Sequence, residues 1–170
     1  MALDRKSVLR NKNRLVSGIL LILTVGILLT LAFTEGFVTS IEDIADKLIG
    51  NVQYKTPLQA ATEEESAARF PVGDASVYQM VFVSTDPTSA EEVAVFEAKD
   101  GDAVKEIYTV IHDHLDRQLE ALPEQAELLD KAIVWYFDSY VAVCVTDDTE
   151  AVKDVFSRYG GSIAPLIEES

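Results

Sequence analysis

The chain has 170 residues, 48% of them hydrophobic, and a formal net charge of −15. That length holds one ordinary domain plus a short extra segment, and the single cysteine, Cys144, excludes an intrachain disulfide. Acidity on this scale disfavours nucleic acid and anionic lipid headgroups, whose phosphates an acidic surface repels, and favours cations or basic partner surfaces.

The charge is unevenly placed. Residues 1–14 hold Arg5, Lys6, Arg10, Lys12 and Arg14 against Asp4 alone, a net of +4 that leaves −19 for the rest. Such asymmetry points to two environments. The next nineteen residues, Leu15 to Phe33, carry no charge. As a helix they span ~28 Å, close to the ~30 Å hydrocarbon core of a bilayer. Leu20, Leu21, Ile22, Leu23, Val25, Ile27, Leu28 and Leu29 form their centre, with no polar stripe of the kind a soluble helix needs. The expectation is a transmembrane helix over residues 15–34. A cleaved signal peptide is the rival reading. The stretch exceeds the usual apolar region of such a peptide and its exit lacks an A-x-A site, so retention is favoured. Basic residues before the segment and Glu35, Glu42 and Asp43 after it place the N-terminus in the cytoplasm and the rest outside, as a single-pass protein.

Residues 37–160 read as one acidic domain, followed by a flexible tail over 161–170. Ser40 caps a first helix with the stripe Ile41, Ile44, Ala45, Leu48 and Ile49, which Gly50 stops. Residues 51–76 are mixed, with a short helix near Glu63–Ala68 whose acidic triplet suits a helix N-terminus or solvated face. Val77–Thr85 and Glu92–Ala98 read as strands joined at the turn Asp86-Pro87-Thr88-Ser89. A long helix runs from Asp102 to Leu122, with Val104, Ile107, Ile111, Leu115, Leu119 and Leu122 as its core face. After Pro123, a short helix leads to strands Ile133–Phe137 and Tyr140–Thr146 around Asp138-Ser139. Asp148 or Thr149 caps a final helix that ends at Gly160-Gly161. The order predicts an α+β fold, an antiparallel sheet built from two β-hairpins with helices on one face.

Several segments together resemble a known family. They are Glu92-Val93-Ala94-Val95-Phe96-Glu97-Ala98-Lys99, Asp102-Ala103-Val104, Arg117-Gln118, Pro123-Glu124-Gln125, Tyr140-Val141 and Thr146-Asp147-Asp148, over residues 40–160. In this order they are similar to bacterial lipoprotein and membrane-anchored domains, common in Firmicutes, catalogued only as a domain of unknown function. Many of its members carry an aromatic-rich stretch where Leu119-Glu120-Ala121-Leu122 stands here, and many are lipidated at a cysteine that this chain replaces with an apolar helix. The resemblance implies a location outside the membrane of a Gram-positive cell, and no reaction.

The residues name no reaction either. Gly-rich phosphate loops, G-x-S-x-G, CxxC and HExxH are all missing, so no catalytic residue and no cofactor is assigned. Cys144 lies in an apolar run and reads as a buried hydrophobe. His112 and His114, two apart on a helix, point to different faces and cannot chelate one metal. Arg117 and Gln118 sit near the inner face of the long helix. Arg117 is expected either to bridge to Glu92 or Glu97 or, with Gln118 and Glu92, to line a cleft for an anion. Asp147 and Asp148, near Glu150 and Asp154, are candidates for a hard cation, although their spacing matches no calcium loop and acids at a helix start need no ligand. Two functions follow: a protein- or envelope-interaction module, and a small-ligand or cation sensor. An envelope hydrolase ranks below both.

Overall fold

The computed structural model describes residues 40–164. The expected transmembrane helix lies outside the described residues, as do residues 165–170 of the expected tail. Among the described residues, no helix is long and apolar enough to cross a membrane.

The fold is α+β, around a six-stranded sheet in the order β1-β2-β3-β5-β4-β6 with every neighbouring pair antiparallel. The strands are β1 (Leu58–Ala60), β2 (Ser76–Ser84), β3 (Glu92–Ala98), β4 (Ile133–Phe137), β5 (Tyr140–Val145) and β6 (Ser162–Ala164). The helices are α1 (Ile41–Asn51), α2 (Glu63–Arg69), α3 (Gly101–Ala121), α4 (Ala126–Leu129) and α5 (Thr149–Tyr159). Both expected hairpins are present, and they join through β3 and β5 at the sheet centre.

The helices do not lie on one face. Side chains alternate along a strand, and both alternating sets of β3 and β5 are buried. Ala94, Phe96, Val141 and Val143 pack with Ala103, Ile107 and Ile111 of α3. Val93, Val95, Ala142 and Cys144 pack with Ile44 and Leu48 of α1 and with Val152 and Phe156 of α5. The molecule is therefore three layers, with cores on both sides of the sheet. Connectivity requires this. The path from β3 through α3 to β4 and the path from β5 through α5 to β6 step the same way across the sheet. They start from strands that run in opposite directions, so one shared handedness puts their helices on opposite faces.

Local chemistry fixes the helix starts. The Ser40 side chain accepts from the Asp43 N–H at 3.2 Å, and α1 runs on through Gly50 to Asn51. Thr62 and Glu65 cap α2 reciprocally, so the acidic triplet is a helix N-terminus. Asp100 accepts from the Asp102 and Ala103 N–H groups to begin α3. The core face of α3 is rotated from the expected one: His114 is buried, and Leu119 is 39% exposed. The chain does not fall loose after Gly161, because Ser162–Ala164 pairs with β4. Trp135 secures that corner. It stacks on Phe156 at 4.7 Å between ring centroids, and its indole N–H donates to the Gly160 carbonyl at 2.7 Å.

Candidate functional site

Glu92 opens β3 on the face covered by α3. Its carboxylate is 1% exposed, and an unpaired charge there would cost several kcal/mol. Two partners meet it. His114 of α3 lies 2.6 Å from Oε1, and the Arg69 guanidinium at the end of α2 lies 3.3 Å from Oε2. A carboxylate only accepts, so His114 donates its Nε2–H. The His114 ring also packs on Phe70 at 4.2 Å between centroids. Three elements thus converge on a polar centre within an apolar layer.

Arg117 and Gln118 follow His114 by three and four residues, which puts all three on one side of α3. The Gln118 amide nitrogen is 3.4 Å from His114 Nε2. With that nitrogen donating to Glu92, it has no lone pair for Gln118. Arg117 does not bridge to Glu92 or Glu97; its NH2 group donates to the Arg69 main-chain carbonyl at 2.9 Å. Above the centre lies an opening of about 280 Å³ lined by Ala68, Arg69, His114, Arg117 and Gln118. A second, of about 50 Å³, reaches Glu92 and Gln118 from the β2–β3 turn. The predicted trio Glu92, Arg117 and Gln118 is therefore gathered in space. Arg69 and His114 complete it. Neither was legible as a partner, because 22 residues separate His114 from Glu92 and 23 separate Arg69 from it.

Asp147 and Asp148 have other occupations. Asp147 takes Lys55 at 2.5 Å and Lys131 at 2.9 Å, and these lysines hold its carboxyl down at about 2. Asp148 accepts from the Gln53 N–H at 3.0 Å, tying the loop after α1 to the end of β5. Among the described residues, no three His, Cys, Asp or Glu side chains gather as a metal-ligand set. Glu91 is buried too, but its oxygens accept from the Lys55 and Thr56 N–H groups and hold that loop. Cys144 is buried, with its thiol pushed up to about 12 by desolvation, a structural thiol and not a nucleophile.

A further feature escaped the sequence. β1 pairs only with Phe82–Ser84, and past its end the Ala61 N–H donates to the Val81 carbonyl at 2.9 Å. Backbone groups alternate sides along a strand, so Gln79, two residues earlier, faces the same uncovered edge. Beside this half-strand lies a cavity of about 590 Å³ whose walls include Ala61, Ser66, Ala67, Phe70, Val77 and Gln79. Val77 and Tyr78 are 67% and 48% exposed. Gln79 Oε1 is buried there without a hydrogen-bond partner. No sequence pattern marks this edge, since β2 reads as a strand along its whole length whether or not a neighbour covers it.

Comparison with known proteins returns a match of residues 53–146 to the family model described as Domain of unknown function (DUF4358). No curated protein and no solved structure matches the chain.

Proposed function

The chain belongs to the DUF4358 family, and from that premise we propose that it is a membrane-tethered recognition domain that takes an extended segment of a partner protein along the open half of β2. The tether is the uncharged segment Leu15–Phe33, with the basic residues before it in the cytoplasm and the acidic domain outside the membrane. The observation that carries the recognition role is the uncovered stretch of β2 beside a preformed cavity. An unpaired edge is a ready template for another strand, and proteins normally blunt one with charge or proline. Here Val77 and Tyr78 stand exposed on it instead. A strand added at this edge draws affinity from main-chain hydrogen bonds and selectivity from pockets for alternate side chains. The apolar wall of the cavity takes apolar side chains. Glu63 in that wall, with Glu64 and Glu65 beside it, favours lysine or arginine in the partner.

The test places a photo-activatable residue at Val77 in the full-length chain in its native membrane. The expected result is an adduct to one protein, mapped to an extended segment bearing apolar and basic side chains. Gln79→Pro removes one edge N–H, a change edge strands tolerate, and abolishes the adduct while the protein stays folded. An adduct that survives Gln79→Pro, or one that forms equally from exposed Glu120 on α3, overturns the reading. Recovery of the domain in a soluble fraction overturns the tether.

A further inference from the structure

We propose that the opening above the Glu92–His114 pair binds a small organic carboxylate, gripped by Arg117 with Arg69 and Gln118 beside it. This inference is independent of the strand-pairing role and rests on a charge inventory. Glu92 points inward, and its two oxygens face His114 and Arg69. The buried carboxylate is therefore met before its field reaches the opening, and Arg69 is balanced by it. Arg117 is different. Its partner is a neutral carbonyl, and it makes no ion pair with any carboxylate among the described residues. It is a cation without a counter-charge in a chain of net charge −15.

The geometry is suited to a planar acceptor. The hydrogen bond from Arg117 NH2 to the Arg69 carbonyl pins one arm of the guanidinium, so less freedom is lost when the remaining N–H groups take a ligand. Gln118, one residue on and lining the same opening, adds amide donors that His114 Nε2, itself donating to Glu92, does not take up. The charge sets the ligand class. One unspent guanidinium balances one negative charge, and further negative charge is disfavoured by the surrounding acidity. A carboxylate monoanion fits both limits and pairs with the guanidinium fork in two parallel hydrogen bonds. A phosphate dianion exceeds them.

The test uses acetate as the probe on the purified, ¹⁵N-labelled full-length chain, with arginine side-chain Nε–Hε resonances as the readout. Sodium chloride at matched ionic strength is the reference titration. The expected result is a saturable shift of the Arg117 resonance with acetate and not with chloride. Following the His114 side-chain resonances, Arg117→Lys keeps the charge, loses the fork and weakens acetate binding by about tenfold. Arg117 is exposed on α3, so its variant keeps the parent melting temperature. A shift that never saturates, or affinity unchanged in the variant, overturns the proposal. So does inorganic phosphate binding as tightly as acetate.

Discussion

Glu92 and His114 are both almost removed from water, and the burial of Glu92 is tolerable because His114 and Arg69 meet its two oxygens. Glu92→Ala leaves the imidazole and one face of Arg69 without a partner. It is expected to lower unfolding stability by about 1–3 kcal/mol, the cost of an unsatisfied buried donor, since Arg69 is partly exposed and can be solvated; urea denaturation measures it. Glu92→Gln keeps the shape and an acceptor and loses less. Asp147 behaves differently because its ion pairs lie at the surface, where salt and solvent screen them. Lys55 and Lys131 hold its carboxyl at about 2, against an ordinary 3.8. The stabilisation is therefore complete above the ordinary aspartate range and is lost as pH falls through about 2. Asp147→Asn then melts slightly below the parent at pH 7, and the gap closes with acidification. A thermal series across pH checks this, and a gap that widens on acidification contradicts it.

Among the elements, the edges carry the consequences. β6 is three residues long and is held by its turn as much as by its ladder. Gly160 and Gly161 have φ of +79° and +83°, a region open to glycine at little cost. A Cβ at Gly161 would also overlap the Tyr136 carbonyl, Phe137 Cβ and the Trp135 indole nitrogen. Gly161→Ala is expected to detach β6 and to loosen the indole bond to Gly160. The readouts are a lower melting temperature and a red-shifted Trp135 emission. Unchanged emission would mean that the turn tolerates the methyl group. The opposite edge is the open half of β2. Its exposure follows from the shortness of β1, three residues against nine, which leaves most of the longer strand without a partner on that side.

At the scale of the molecule, the family match and the folding unit have different extents. The match spans residues 53–146, which include all of β1 to β5 and α2 to α4 but neither α1 nor α5. Those two helices bury Ile41, Ile44, Ala45, Leu48, Val152, Val155 and Phe156 against the second face of the sheet. At roughly 1.5–3 kcal/mol for each large apolar side chain, their loss removes on the order of 10 kcal/mol, comparable to the whole stability of a typical domain. A 53–146 fragment is therefore expected to aggregate or bind a hydrophobic dye, whereas residues 40–164 unfold in a cooperative transition. A soluble, cooperatively folding 53–146 fragment would show that one covered face is enough.

Strand and helix existence was written in local pattern. Ile133–Phe137 and Glu92–Ala98 have the bounds their composition predicts, and the Ser40 cap and the Gly160-Gly161 stop are read from single residue types. The uninterrupted apolar runs Val93–Phe96 and Val141–Val145 are the mark of strands buried on both faces and so carry the three layers, which the order of hairpins and helices does not. Three-residue strands leave no periodicity, so β1 and β6 have no such mark. Glu92, Arg117 and Gln118 could be named as candidates from the chain. What Glu92 pairs with could not, because ion-pair choice depends on distance in space between elements far apart in sequence. Arg69 and His114 reached it first, and that leaves Arg117 with its charge unspent. The uncovered edge of β2 is likewise a property of where β1 stops, and only the assembled sheet decides it.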